Sequence, residues 1–66
     1  MVELVTKMIQ QEDKCAVHYL NQTVYGLSGY PLGILEEVRV DDSTGDQEFW
    51  VRNVNGLIQF SYFCVV

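Results

Sequence analysis

The sequence predicts an α+β fold, in which an N-terminal helix packs on an antiparallel β-meander of three to five strands. Apolar residues recur at helical spacing over residues 2–20, which is typical of a helix that buries one side. Asn55-Gly56 lies between two aromatic and β-branched runs, which indicates a hairpin turn. The two hairpins that follow from the turns agree on a single apolar face, as a sheet packed on one side requires.

Length and composition indicate one small domain, residues 1–66. A chain of this size buries only about 60% of the surface that its unfolded form exposes. With 48% hydrophobic residues, the chain is too apolar to remain disordered. Because a core this small is often completed by contact with a second subunit, we expect a homo-oligomer.

The charge balance argues against a general nucleic-acid-binding role. The net charge is −5, and the chain has only four Lys and Arg residues, too few for a substantial basic patch. The start, Met1-Val2-Glu3-Leu4, lacks the basic region of a signal peptide, and no apolar run approaches the roughly 20 residues that span a bilayer. We therefore expect a cytoplasmic protein with neither a membrane nor a nucleic-acid partner.

The helix is predicted from the phase of its apolar residues. At about 100° per residue they fall within one arc, and Glu12 is the only charge inside that arc. These residues are Leu4, Val5, Met8, Ile9, Cys15, Ala16, Tyr19 and Leu20. In the alternative, the polar run 10–14 ends the helix and residues 15–20 form a strand. The continuous helix is preferred because its periodicity extends over the whole segment.

Two hairpin registers define the sheet. If Asn55-Gly56 is a type I′ turn, Val54 faces Leu57 and Phe49 faces Tyr62. If residues 43–46 form a four-residue loop, strand 34–41 pairs so that Val40 faces Phe49. Both registers give one apolar face: Val38, Val40, Phe49, Val51, Ile58, Phe60, Tyr62 and Cys64. A short strand at 23–25 and the glycine-containing segment 26–33 also permit an alternative fold, a small SH3-like barrel with the same N-terminal helix.

The opposite face of this sheet is the first candidate site. The same registers place Arg39 over Trp50, as a cation–π contact, and Glu37 beside Arg52. Aromatic residues and Arg are enriched at interface hot spots, so a protein-binding site is predicted from this face. Its residues are Arg39, Trp50, Arg52 and Phe63. The alternative is that the glycine-containing segment folds over this face and covers it.

A second candidate site is a small pocket formed by Tyr30, Glu36 and Asn53. The registers place Glu36 opposite Asn53 at the end of the apolar face, where burial would raise the pKa of the Glu36 carboxyl. The alternative is that this end of the sheet extends past the helix and that both residues contact water.

The remaining reactive residues predict no chemistry. His18 lies on the polar side of the predicted helix, so a solvated side chain is expected. Cys15 and Cys64 have neither zinc nor redox spacing and are interpreted as reduced, buried thiols, with a disulfide as the alternative. Residues 26–29 lack the spacing of a phosphate loop, and residues 41–48 lack the Gly and Glu positions of a calcium loop. No catalytic residue, cofactor or metal is predicted.

The sequence therefore favours a small acidic interaction module that self-associates and binds a protein partner. The alternative is a small-ligand-binding protein or minimal enzyme whose pocket forms at a subunit interface, near the second candidate site.

Overall fold

The computed structural model describes residues 7–66, and most of that range belongs to one antiparallel sheet of six strands. The strands are β1 (Lys7–Gln10), β2 (Thr23–Tyr25), β3 (Pro31–Val40), β4 (Gln47–Asn53), β5 (Gly56–Phe60) and β6 (Tyr62–Val65). Their order across the sheet is β1-β6-β2-β3-β4-β5, so β1 and β5 form the two edges within residues 7–66. The expectation of a small domain built on an antiparallel sheet is confirmed.

The predicted N-terminal helix is wrong, and so is the alternative strand at residues 15–20. Within the described residues, the chain forms β1, a turn, and a short 3₁₀ helix, Lys14–Tyr19. The Asp13 carboxylate accepts the Gln10 N–H at 2.8 Å, and the Asp13 N–H donates to the Gln10 carbonyl at 2.9 Å. These bonds close a turn where a helix would continue, which is how Asp competes with helical hydrogen bonding. The first part of the predicted helix, residues 2–6, lies outside the described residues.

The N-terminal segment contradicts both fold classes expected from the sequence. The α+β meander and the SH3-like barrel each began with an N-terminal helix, whereas the chain contains a largely β structure with one short 3₁₀ helix over residues 7–66. Ile9 is fully buried between exposed Met8 and Gln10. That alternation is the burial pattern of a strand that packs one face.

The turn between β4 and β5 is not of type I′. Asn53 pairs with Gly56, so Val54 and Asn55 form the two-residue loop. Gly56 has a φ of +113°, but Asn55 does not have the positive φ that a type I′ turn requires at both central residues. The Asn53 side-chain oxygen accepts the Asn55 N–H at 2.8 Å and holds the loop. The register is therefore displaced by two residues, and Phe49 pairs with Phe60 instead of Tyr62.

The hairpin of β3 and β4 is displaced in the same way and also contains a β-bulge. Val38 pairs with Phe49 near the tip, but the register shifts between Leu35 and Glu37. Glu36 is the extra residue of the bulge, so the predicted pairing of Glu36 with Asn53 is wrong. The bulge allows Leu35 to be fully buried while both glutamates remain exposed. An unbroken alternation would have placed Glu36 on the core face, where a charge is costly to bury.

The core lies on the inner face of the sheet, and the 3₁₀ segment contributes Ala16 to it. Its buried members are Ile9, Ala16, Val24, Leu32, Leu35, Phe49, Val51, Phe63 and Val65. Phe63 is edge-to-face with Phe49 at a centroid distance of 5.0 Å and with Tyr19 at 6.0 Å. Two residues predicted for the apolar face lie at its periphery, since Val40 is 60% exposed and Ile58 is 36% exposed.

Candidate functional site

The outer face of β3, β4 and β5 carries three of the four residues predicted to bind a partner. The Arg39 guanidinium lies 4.7 Å from the centroid of the Trp50 ring, so the predicted cation–π contact is confirmed. The contact is diagonal, because Arg39 pairs with Glu48 and Trp50 pairs with Glu37 in the ladder. The Trp50 indole N–H donates to a Glu48 carboxylate oxygen at 3.3 Å. Trp50 is consequently half-buried by its own neighbours.

Both arginines of this face are paired within the chain. Arg52 makes a bidentate pair with Glu36, in which its Nε and Nη2 donate at 2.5 and 2.8 Å. Arg39 pairs with Glu37 at 2.9 Å. The predicted contact between Glu37 and Arg52 is therefore wrong. Hydrogen bonds from Arg52 lower the pKa of Glu36, the opposite of the increase expected from burial, and those from Arg39 lower the pKa of Glu37.

Phe63 does not belong to the outer face. It is fully buried and pairs with Ile9. The reason is that β5 ends at Phe60, and the next strand, β6, lies between β1 and β2 at the opposite end of the strand order. The register predicted from the sequence makes residues 57–64 one strand, which would put Phe63 on the exposed face. Without Phe63, Trp50 is the one aromatic ring among the four predicted residues on this face, and the two arginines there are already paired with carboxylates.

Tyr30, Glu36 and Asn53 do not form one pocket. The Asn53 side chain donates to the Leu32 carbonyl at 2.9 Å and accepts the Asn55 N–H, so both of its ends hold backbone. Glu36 is paired with Arg52 at the surface. Within one chain the three residues are therefore not brought together, and a pocket completed by a second subunit stays a prediction. Tyr30 lies at a concave surface of its own chain.

That surface is an aromatic cleft with a volume of about 230 Å³. Its lining residues are Gly26, Leu27, Ser28, Tyr30, Leu32, Phe60 and Tyr62. A tight turn shapes one wall, because the Gly26 N–H donates to the Tyr30 carbonyl at 2.9 Å and the Gly29 N–H donates to the Gly26 carbonyl at 3.0 Å. A Cβ atom at Gly26 would lie 3.1 Å from Cε1 of Tyr30, so the ring rests directly on the backbone there. Both Tyr30 and Leu27 remain 60% exposed.

The chemistry of the aromatic cleft is that of binding by shape and stacking. Its lining contains three aromatic rings, two leucines and three hydroxyl groups, but no carboxylate, imidazole, thiol or basic group. The residues present could therefore hold an apolar or aromatic group and donate hydrogen bonds to it. They provide neither a nucleophile with a base nor a metal-binding set.

The sequence indicated one wall of this cleft and missed the other. Tyr30 and the leucines alternate with glycines in residues 26–33, which signals an irregular segment with apolar side chains. Phe60 ends β5 and Tyr62 begins β6, and the chain brings both to residues 26–33 where β6 pairs with β2. No local pattern predicts that crossing.

The remaining reactive groups lie apart from the cleft. His18 is exposed, as predicted. Both cysteines are free thiols; Cys15 is half-buried, and burial raises the pKa of the Cys64 thiol. Over residues 7–66, no three His, Cys, Asp or Glu side chains come together as a metal-binding group. The same part of the chain contains no helix that is long and apolar enough to cross a membrane.

Comparisons of the chain with protein-family models, with curated proteins and with solved structures gave no match.

Proposed function

We propose that this chain is a non-enzymatic, cytoplasmic interaction module that self-associates and binds a protein partner. The observation that supports partner binding is the aromatic cleft, in which exposed Tyr30 and Leu27 stand over an uncharged lining. Exposed aromatic and leucine side chains grouped at one concave surface are typical of a binding site.

The size and lining of the cleft favour an extended peptide. Its volume of about 230 Å³ is below the roughly 300–1,000 Å³ of pockets that enclose a drug-sized ligand. A proline-rich segment in the polyproline II conformation fits a shallow aromatic groove because it is already extended and loses little entropy on binding. Since the chain carries a net charge of −5, a peptide flanked by Lys or Arg is attracted to it at long range.

The second candidate function is binding of a small ligand at the same cleft. The hydroxyl groups of Ser28, Tyr30 and Tyr62 favour it, because they could orient a polar group of such a ligand. Binding at the outer face is a weaker proposal, because a partner there must compete with the pairs that Arg39 and Arg52 already make.

The test is an NMR titration of the ¹⁵N-labelled chain with a lysine-flanked polyproline peptide. We expect chemical-shift changes in the amides of residues 26–30 and 60–62 and none at the Trp50 indole. Tyr30→Ala should weaken binding by about tenfold or more, the size of an interface hot spot. Arg39→Ala is the matched control on the outer face and should leave the affinity unchanged.

A lysine-flanked Gly-Ser peptide of equal length separates contact from charge attraction. Equal binding of the two peptides would contradict recognition by the aromatic cleft. Shifts centred on Trp50, with loss of affinity in Arg39→Ala, would move the partner site to the outer face. If neither peptide binds, the proposed peptide class is wrong, and a small-molecule fragment screen read on the same amides tests the second candidate.

A further inference from the structure

Strand β5 is an open edge of the sheet without the usual protection against strand pairing. Among the described residues, 7–66, it pairs with β4 on one side only. Natural edge strands are commonly blunted by Lys, Pro, a bulge or an inward charge. β5 contains none of these residues, and the whole segment from Asn53 to Val66 carries no Asp, Glu, Lys or Arg. Its central side chain, Ile58, is 36% exposed.

We infer that two copies of the chain pair β5 with β5 in antiparallel fashion, across a two-fold axis at Ile58. The inference rests on the self-association in the proposed function and names the surface responsible for it. Asn53 and Gly56 flank the two-residue turn and form the first hydrogen-bonded pair of the hairpin. Bonding alternates along an antiparallel ladder, so Ile58 and Phe60 bond to β4, whereas Leu57 and Gln59 direct their backbone groups to the open edge.

The strand is self-complementary in the register that this alternation allows. Leu57 of one copy exchanges hydrogen bonds with Gln59 of the second copy, and the two Ile58 side chains meet at the axis. Gly56 of one copy then lies opposite Phe60 of the second copy, so a large ring covers the position that lacks a side chain. Aromatic residues opposite an edge glycine stabilise strand pairing in this way.

Charge favours this edge over the other surfaces of the chain. Two copies of a chain with a net charge of −5 repel one another. Pairing through β5 brings together segments without any formal charge. The outer face carries a net charge of −1 in each copy, because Arg39 and Arg52 balance two of its three glutamates. Higher salt should therefore strengthen the dimer by screening the repulsion between the two bodies. A five-residue strand is a short interface, so the dimer is expected to dissociate on dilution.

The experiment is sedimentation velocity over a dilution series for the parent chain and three variants. Ile58→Lys places two charges at the axis and should raise the dissociation constant by about tenfold or more. Ile34→Lys is the matched control, because Ile34 is 41% exposed on β3 and lies away from β5. Ile34→Lys and Trp50→Ala should both behave like the parent, and circular dichroism should show all four chains folded.

Cysteine cross-linking gives a second measurement that does not depend on destabilising the edge. Ile58→Cys should form a disulfide dimer under mild oxidation, because the two residues at the axis face each other directly, at a spacing compatible with a disulfide. Gln59→Cys should not, since its opposite residue is Leu57 of the second copy. The parent chain reports any background from Cys15.

The outcomes separate the inference from the proposed function. A parent chain that is monomeric at every concentration overturns both the β5 pairing and the self-association. A parent dimer that Ile58→Lys leaves intact, or that Trp50→Ala or Ile34→Lys dissolves, overturns the β5 pairing alone. Cross-linking of Gln59→Cys in preference to Ile58→Cys overturns the register.

Discussion

At the scale of single residues, Gln47 shows how the chain holds an N-terminal segment that is not a long helix. Its side chain is 8% exposed and donates to the Gln11 carbonyl at 2.8 Å and to the Asp13 carbonyl at 2.7 Å. The Gln11 side chain donates in return to the Gln47 carbonyl at 3.2 Å. One buried amide thus donates hydrogen bonds to two backbone carbonyls of the turn that leads from β1 into the 3₁₀ segment, and it anchors that turn to β4.

We expect Gln47→Glu to destabilise the fold at neutral pH by about 1–3 kcal/mol or more, because a buried carboxylate would face two carbonyl oxygens in place of donating to them. Burial and those carbonyls should raise the pKa of the new carboxyl, so the penalty is present at pH 7 and decreases as the pH falls and the group protonates. Urea unfolding at pH 7 and at pH 5 measures this difference. Gln10→Glu, at an exposed position on β1, is the matched control, and equal losses in the two variants would contradict a stabilising role for Gln47.

The sequence predicted individual contacts where strand alternation alone decides them. Arg39 and Trp50 lie on the same face in any register displaced by an even number of residues, so their stacking was predictable. Phe63 was not predictable in the same way. Its place depends on where β5 ends and on which strand β6 joins, and neither is visible as a local pattern.

At the scale of elements, both hairpins were predicted with correct faces near their turns and with wrong partners; before the bulge in β3, Leu35 faces the core and not the outer side as predicted. A displacement of two residues leaves the alternation of apolar and polar side chains unchanged, so the pattern cannot distinguish the two registers. The register therefore depends on the turn at residues 53–56, where the Asn53 side chain favours a loop at Val54 and Asn55. The bulge at Glu36 does have a local signal, since two consecutive glutamates between Leu35 and Val38 break the period of two.

The helix predicted for the N-terminal segment is wrong for a different reason. Its apolar residues fit the helical period across residues 2–20, but the polar run 10–14 contains the Asp13 turn that interrupts it. A strand of four residues and a short 3₁₀ helix together can imitate the phase of a single long helix. The break was visible in the sequence, but what followed it was not.

We expect Gly33→Ala to be strongly destabilising because the backbone of β4 lies too close to Gly33 to leave room for a side chain. A Cβ atom there would lie 2.4 Å from the Arg52 carbonyl oxygen, and the φ of Gly33 is +141°. The clash is with backbone, which cannot rotate away, so a loss above about 3 kcal/mol is expected, at the severe end for single substitutions. Gly56→Ala is the control, since its φ is also positive, at +113°, but nothing lies within 4 Å of its Cβ position. Equal free energies of unfolding for the two variants would contradict the close approach.

At the scale of the whole molecule, charge sets how stability depends on pH. Hydrogen bonds from Arg52 lower the pKa of Glu36, and those from Arg39 lower the pKa of Glu37. In the loop between β3 and β4, the Ser43 hydroxyl and N–H donate to Asp41 at 2.6 and 2.8 Å and lower its pKa. Glu36 and Glu37 are exposed and Asp41 is partly exposed, so each effect is modest, but all have the same sign.

The linkage follows from that sign. A carboxyl whose pKa is lower in the folded state than in the unfolded state stabilises the fold at pH values above its ordinary pKa. That ordinary pKa is 4.5 for Glu and 3.8 for Asp. That contribution is lost as the pH falls through the folded-state pKa. Self-repulsion acts the other way above the isoelectric point, near pH 4.4, because titration towards it removes net negative charge. Below that point the net charge becomes positive, and both effects destabilise the fold.

We therefore expect the free energy of unfolding to change little between pH 7 and about pH 4.5 and to fall steadily below that value. Urea unfolding at intervals from pH 7 to pH 2 measures the curve. Asp41→Asn should flatten the acid limb, because the amide keeps an acceptor for Ser43 but does not titrate. Asp42→Asn, a neighbouring exposed residue of the same loop, is the control. Stability that rises as the pH falls from 4 to 2, or acid limbs of equal slope in the parent and Asp41→Asn, would show that these hydrogen-bonded carboxylates do not control the acid stability of the fold.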